Sequence, residues 1–414
     1  MAIGKSMHIK VDEDDLINQH VHYPEAPFPD SDGKDSPPWD FKPVPTEPLH
    51  SQKAYEDERD KIFKKRWINI AREWEVPERG SYIIKNIDVL GASILVTRGT
   101  DGVIRSFHNV CPHRGNQLFD PNKQPCQGRV RTVMCAFHGW TFDLEGKCLK
   151  ISDEGKFYDL SKDDISLMKI HTDIWKGQIF VNLAEQPSET LEQWLGDFGK
   201  EVGHYDWDRF EVAAKWESEV NVNYKVFIDA FQETYHVSFI HLSSFTGEVE
   251  HDTDPYFNLK YMRFFGPHKA LAVPGRGSPE TNVREKVIKQ DGENVSQGIN
   301  LDRIEDWGFD IDVVFPNFFY NMLNNQYFTH NFWPIGPNKT HWECHLYLPK
   351  TDKASDLITW EREKCLLRDA INEDLSTNEA TQVSLNNGHI KQIHYSEQET
   401  ALRHHYYYME QFTK

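Results

Sequence analysis

Cysteine is scarce in this chain, with six in 414 residues, and Cys126, Cys148, Cys344 and Cys365 are scattered without motif. These four are expected as free buried thiols rather than as a disulfide framework. Long hydrophobic runs are missing too. No stretch approaches the ~18 apolar residues that a membrane span needs. The opening MAIGKSMHIKVDEDDL has no apolar core of the signal-peptide kind, so a cytoplasmic location is expected, without a membrane partner. Positive charge is in deficit: 46 Lys and Arg face 65 Asp and Glu, for a net charge of −19. That balance disfavours nucleic acid and anionic membranes as partners. There is no internal repeat and no convincing dinucleotide fingerprint.

What is present suits a globular protein of two domains. Hydrophobic residues make up 38% of the chain and aromatics 13%, enough for real cores at this length. Residues 1–49 form a Pro-rich, charged arm, expected to be extended. A helix is expected at 52–67. Short alternating strands follow from 80 to 107, and 175–183 reads as the last strand of a small β-sandwich spanning 50–185. In residues 186–414, a strand at 210–222 leads into one helix at 223–242. A long polar stretch after Phe265 reads as loop to about 305. Strands are expected at 313–323, 326–334 and 340–348, with Pro316 awkward inside the first. A helix at 357–387 and an aromatic tail at 403–412 close an α+β half.

Two loops carry the chemistry of the first half: Cys111-Pro-His113-Arg114-Gly115 and Cys135-Ala-Phe-His138-Gly139-Trp140. Each offers one thiolate and one imidazole. A [2Fe–2S] cluster with two Cys on one iron and two His on the other needs this donor set. A structural zinc site uses the same four donors, but it usually groups a Cys pair and then a His pair. Gly115 and Gly139 would let backbone amides approach the sulfides. Taken together, the two motifs resemble the Rieske domain of the Rieske non-haem iron oxygenases, in particular the terminal (alpha) component of the ring-hydroxylating type. One departure is the 21 residues between His113 and Cys135, a few more than is usual there. The excess, around 121–128, is expected to be a surface-loop insertion. Residues 101–150 carry seven Lys and Arg against four Asp and Glu, which suits either a docking face for an acidic electron carrier or ordinary charge scatter.

Glu233-Thr-Tyr-His236-Val-Ser-Phe-Ile-His241 is the second constellation. Alone it would be weak, since a satisfied core or surface His is commoner than a ligand. A five-residue step turns a helix by ~140°, so both rings can meet only if the helix breaks near Val237. The resemblance changes the weighing. Asn223-Tyr224-Lys225 is similar to the family's entry to its iron helix, and a Rieske cluster in so long a chain needs an electron acceptor. It implies mononuclear Fe(II) on His236, His241 and a late carboxylate. The match is Asp374, inward with Ala370, Ile371 and Leu375. Glu373 suits a solvated surface, and Asp369 and Glu379 are weaker candidates. The resemblance makes Glu233 an acidic bridge between His236 and the His138 of a neighbouring subunit. Most relatives have Asp there, and the longer Glu occurs in relatives acting on quaternary ammonium compounds.

The expected fold is thus a Rieske β-sandwich followed by a helix-grip catalytic domain, an antiparallel sheet with long helices. The implied function is that of a terminal oxygenase. It would take electrons from NAD(P)H indirectly, through a separate reductase and a ferredoxin, and use O₂ to hydroxylate an aromatic or alicyclic substrate. Aromatic hydrocarbon catabolism fits that reading. Oxidative demethylation, or oxygenation of a quaternary ammonium compound such as carnitine or a betaine, is the alternative. Phe227, Asp229, Ala230, Phe231, Phe315, Phe319 and Phe328 are pocket candidates, with plain core packing the blander reading of each aromatic. A homotrimer is implied because a heterologous interface closes a ring; an α₃β₃ assembly is the other option. A pure electron carrier and a zinc-stapled binding protein are the readings from other classes.

Overall fold

A computed structural model describes residues 42–241, 256–275, 296–305 and 307–414. The reading of 1–41 as an extended arm lies outside the described residues. The end of that arm is not free: Val44–Pro45 pairs with Gln392–Ile393, and the Thr46 hydroxyl donates to the carbonyl of Ile390 at 2.7 Å.

The first half is built on a seven-stranded antiparallel sheet. Its strands are β1 (Ile68–Arg72), β2 (Ser81–Ile87), β3 (Ala92–Arg98), β4 (Ile104–His108), β5 (Gln127–Arg129), β9 (Lys169–Trp175) and β10 (Gln178–Asn182), in the order β1-β10-β9-β4-β3-β2-β5. A smaller sheet, β6 (Val133–Met134), β7 (Thr141–Phe142) and β8 (Cys148–Lys150), carries the second ligand loop. The last strand, read at 175–183, is β10, which pairs with β9 across a turn at Lys176-Gly177. The insertion at 121–128 is turn for most of its length, and its end joins the sheet edge beside β2 through Gln127–Arg129. Helix α1 (Gln52–Glu58) is capped by the Ser51 hydroxyl, which accepts from the Ala54 amide, and it runs into a wider π-type turn at Arg59–Phe63.

After α2 (Leu191–Glu201), the second half is another seven-stranded antiparallel sheet. It comprises β11 (Phe210–Val220), β12 (Tyr261–Phe265), β13 (His268–Pro274), β14 (Trp307–Val314), β15 (Phe318–Met322), β16 (Tyr327–Gly336) and β17 (Lys339–Pro349), in the order β11-β17-β16-β15-β14-β13-β12. Four helical pieces accompany it: α3 (Tyr224–Asp229), α4 (Val237–Ile240), α5 (Ala354–Asn386) and α6 (Thr400–Thr413). Three expectations are corrected. The strand read at 313–323 is two strands, and Pro316 lies in the turn between β14 and β15. The stretch after Phe265 is not all loop, because HKALAVP forms the buried strand β13. The single helix at 223–242 is two short ones.

One continuous apolar core runs from Leu49 to Met409 through both halves, while the ligand loops sit on a smaller separate core with Phe107, Trp140 and Phe142. Arg72 of β1 is buried at the seam, where its guanidinium donates to the Thr329 hydroxyl and the Asn331 amide oxygen of β16, each at 3.0 Å. Among the described residues no helix is long and apolar enough to cross a membrane.

Candidate metal centres

The two cysteine loops are built alike. The Cys111 amide donates to the carbonyl of Asn116 (2.8 Å) and the Gly115 amide to that of Cys111 (3.0 Å); Cys135 and Trp140, and Gly139 and Cys135, repeat the pattern at 2.8 and 2.9 Å. Both glycines take a positive φ, +76° and +71°, which an L side chain rarely adopts. The rings of His113 and His138 lie 4.7 Å apart, and His113 stacks on Trp140 at 4.6 Å. Partial burial, with His138 and Arg114 nearby, holds the His113 pKa below its usual value. Both sulfurs are buried, whereas His138 is half-exposed. Burial pushes the Cys111 thiol up to about 11, and the neighbouring Cys135 sulfur adds to the rise. Two adjacent buried thiols can both become thiolates only beside a strong cation. Asn116 Nδ2 lies 3.7 Å from Cys135 Sγ, a donor already aimed at sulfur. The donor set therefore fits a cluster.

The second centre forms where α3 ends. The amides of Phe231 and Gln232 bond three residues back, to Ile228 and Asp229, and the chain restarts as the one-turn helix α4. His236 and His241 are its two caps, and His241 leaves the helical region at ψ 31°. The break thus falls before Val237 and brings the two rings to 5.3 Å. His241 Nε2 stands 3.2 Å and His236 Nε2 3.6 Å from the same oxygen, Asp374 Oδ1. That oxygen is buried and makes no hydrogen bond. An orphaned carboxylate oxygen facing two imidazole nitrogens fits a divalent metal on all three. Asp374 belongs to the buried stripe of α5, with Trp360, Glu363, Ala370, Ile371, Asn378, Gln382 and Leu385.

Each imidazole is held from behind by an acid. His236 Nδ1 bonds Glu233 Oε1, and the His236 amide donates to Glu233 Oε2 at 3.2 Å. His241 Nδ1 lies 2.9 Å from Glu373 Oε2. Burial alone would lower the His241 pKa, but Asp374 and Glu373 outweigh it and raise it. Glu373 is therefore not the solvated acid expected. Neighbours on a helix point ~100° apart, and both reach His241 because Nε2 and Nδ1 sit on different sides of the ring. A second grouping, Glu217, His341 and Glu343, lies on β11 and β17. It offers no buried unpaired oxygen, and Glu343 already accepts from the Trp333 indole at 2.9 Å.

Several of the pocket candidates meet on one face of the second sheet. Cross-strand pairing puts Phe319, Asn321, Phe328, His330, Phe332 and Trp342 on one sheet face. Phe227 meets Phe332 at 4.9 Å and Phe231 meets His330 at 4.7 Å, while Phe328, and Leu367 of α5, pack against the small cluster of Leu346, Leu348 and Trp360. Ala230 is half-buried at the end of α3. Phe315 departs from the set, packing on His405 and Phe412 of α6. The hydroxyls of Tyr395 and Tyr406 both donate to Asp229 Oδ2 at 2.9 Å, Oδ1 is buried without a partner, and burial pushes the carboxyl up to about 7.

Residues 66–165 match the family model for the Rieske [2Fe-2S] domain, and 207–414 match that for the ring hydroxylating alpha subunit (catalytic domain). The chain is 30% identical over 300 residues to the methanesulfonate monooxygenase hydroxylase subunit alpha of Methylosulfonomonas methylovora, covering 70% of this chain and 68% of that one. It is 29% identical over 219 residues to the carnitine monooxygenase oxygenase subunit of Acinetobacter baumannii, covering 51% of this chain and 57% of the relative. In fold it is similar to a solved quaternary ammonium Rieske monooxygenase in complex with an inhibitor (TM-score 0.71, 22% identity, 90% and 95% of the two chains). It is also similar in fold to the naphthalene 1,2-dioxygenase of Rhodococcus sp. bound to indole (TM-score 0.73, 21% identity, 90% and 94%). The paired cysteine–histidine loops, the His–His–Asp grouping and these matches lead to one conclusion: this chain belongs to the Rieske-type ring-hydroxylating oxygenase alpha subunits, a family of oxidoreductases.

Proposed function

We propose that this chain is the terminal oxygenase of a multicomponent system, with the cluster on Cys111, His113, Cys135 and His138 and Fe(II) on His236, His241 and Asp374. The observation that carries the reading is Asp374 Oδ1, buried, without a hydrogen bond and facing both imidazole Nε2 atoms. When bound, the cluster supplies single electrons and the Fe(II) activates O₂ beside the substrate. The residues do the rest. Glu233 and Glu373 fix the tautomers of His236 and His241 by accepting their Nδ1 protons, which leaves each Nε2 lone pair toward Asp374. Glu233 serves as the bridge through which an electron reaches His236 from His138 of a neighbouring subunit in a homotrimer, with or without a β subunit. The domains run over 50–185 and 186–414, and the family-model matches fall inside those bounds.

A reductase and a ferredoxin are the partners of this reading. Four of the seven basic residues of the cluster region already pair with acids: Arg105 with Asp101, Lys123 with Asp120, Arg129 with Glu78 and Lys147 with Asp163. Arg114, Arg131 and Lys150 stay exposed, beside Met134, Phe137 and Leu149. They suit an acidic carrier. A cytoplasmic location agrees with six cysteines and no disulfide.

For substrate, the aromatic or alicyclic reading rests on the phenylalanine-rich sheet face. Glu in place of Asp at 233, and relatives named for carnitine, glycine betaine and methanesulfonate, favour a small polar substrate. Metal and sulfide assay of the purified protein tests the class. The reading expects about three irons and two acid-labile sulfides per chain, and Asp374→Ala should lose about one iron and no sulfide. Zinc without sulfide would refute it.

A further inference from the structure

The cross-strand register of β11 and β17 sets Glu217 directly opposite Glu343. Like charges opposed in this way repel and destabilise the pair of strands unless a cation stands between them. His341 lies two residues from Glu343, so it projects from the same face of the sheet. One donor atom from each of Glu217, His341 and Glu343 falls within 4.8 Å of the other two. The Trp333 indole occupies Oε2 of Glu343, and the other oxygen, Oε1, is the one that faces His341 Nε2, at 4.0 Å. That gap is too long for a hydrogen bond. It is about what one ion spans, since two bonds of ~2.1 Å place their donors up to ~4.2 Å apart.

The neighbouring cations are engaged elsewhere. Lys85 pairs with Glu75 at 2.9 Å, Lys339 pairs with Glu219, and the Lys215 ammonium sits 3.9 Å from the centre of the Trp74 ring. Lys85 acts on Glu343 only from beyond ion-pair distance. Among the described residues no Lys or Arg forms an ion pair with Glu217 or Glu343, and neither ring nitrogen of His341 makes a hydrogen bond. His341 and Glu343 border a cavity of about 210 Å³ between the two halves, which Lys85, Asn86 and Asp88 line from the other side. It has room for several waters.

We propose that Glu217, His341 and Glu343 bind a divalent transition-metal ion of the zinc class, apart from the two iron centres, with water from the cavity completing its coordination. Imidazole and carboxylate together suit Zn²⁺, whereas Mg²⁺ and Ca²⁺ take oxygen ligands. The ion offsets the repulsion between the two glutamates and fastens the edge strand β11 to β17. Glu217 is exposed, and the His341 and Glu343 side chains are 32% and 20% exposed. The ion therefore exchanges with solvent, unlike one held at the buried Asp374. The site does not depend on the oxygenase reading.

The test is equilibrium dialysis of the full chain, loaded with cluster and iron, against micromolar Zn²⁺ with Mg²⁺ in excess, read by metal analysis. Wild type should retain about one zinc per chain, with iron and sulfide unchanged. Losing a group behind a metal ligand costs about 10- to 100-fold in affinity, and losing a ligand costs no less, so Glu217→Gln and His341→Ala should each weaken zinc about tenfold or more. Added zinc should raise the denaturant midpoint of wild type but not of Glu217→Gln. Without zinc, Glu217→Gln should be at least as stable as wild type, because a repulsion is gone. No retained zinc, zinc gained only as iron is lost, zinc displaced by Mg²⁺, or zinc held equally by the variants would overturn the inference. So would a lower midpoint for zinc-free Glu217→Gln. If His341→Ala fails to fold, Glu217→Gln decides.

Discussion

Replacing Glu373 by Gln keeps the shape of the side chain and removes its charge, which isolates the contact to His241 Nδ1 at 2.9 Å. Two magnitudes compete. If the contact is an ordinary ion pair at the protein surface, the change is worth about 0–1 kcal/mol and fades with salt. If Glu373 orients a metal-binding imidazole, losing it costs about 10- to 100-fold in metal affinity, or about 1.4–2.8 kcal/mol. Geometry favours the second: the His241 side chain is only 6% exposed and Glu373 19%, so solvent screens the pair poorly. The assay is Fe(II) titration of apo-site protein against a competing chelator, normalised to the visible absorbance of the cluster. Glu373→Gln should weaken Fe(II) about tenfold or more, with cluster absorbance unchanged and little dependence on salt. An affinity within about twofold of wild type would mean that Glu373 is merely a neighbouring acid.

Three further outcomes are expected. Burial holds the Asp229 carboxyl up to about 7, above its unfolded value of about 3.9. The native state therefore binds more protons between these values, and stability is lost as pH rises through 7. In denaturant titrations Asp229→Asn should flatten that loss, by up to a few kcal/mol at pH 8, and parallel pH profiles for the two proteins would sink the argument. Lys225 of α3 is buried against Glu58 of α1 and donates to the Pro48 carbonyl at 2.9 Å. Glu58→Gln should destabilise by about 3–5 kcal/mol, and a double change to Met at both positions should recover much of it; equal losses in the two proteins would contradict this. Reversing Arg131 and Lys150 to Glu should slow reduction of the cluster by its electron carrier and shrink the salt dependence of that rate in stopped flow. An unchanged rate would move the docking face elsewhere.

Long periodic segments were legible because a single period dominates them. The helix read at 357–387 is α5, Ala354–Asn386, and the strand at 210–222 is β11. Strand pairs with tight turns were not, since alternation continues across a short turn, as at 315–317 inside the stretch read as one strand. The segment HKALAVP was hidden by the polar residues that follow it. Glu373 was missed because helix periodicity assigns one of two adjacent acids to the inside. Nothing in the period says that a ring from another helix can reach both. Asp229 looked like one pocket candidate among several, because Tyr395 and Tyr406 lie more than 160 residues away in sequence.

By itself the chain of residues determined the chemistry: a Cys-x-His and a Cys-x-x-His pair, two later histidines and an acidic helix restrict the metals and the reaction class, since donor type is a property of the side chain. Tertiary structure decided which donors converge. The break after Asp229 swings His236 and His241 together, α5 delivers Asp374 with one oxygen left unsatisfied, and the sheet pairs His330 with an indole that fixes its proton on Nε2. Such choices depend on distances between segments far apart in sequence, and packing rather than local pattern sets those distances.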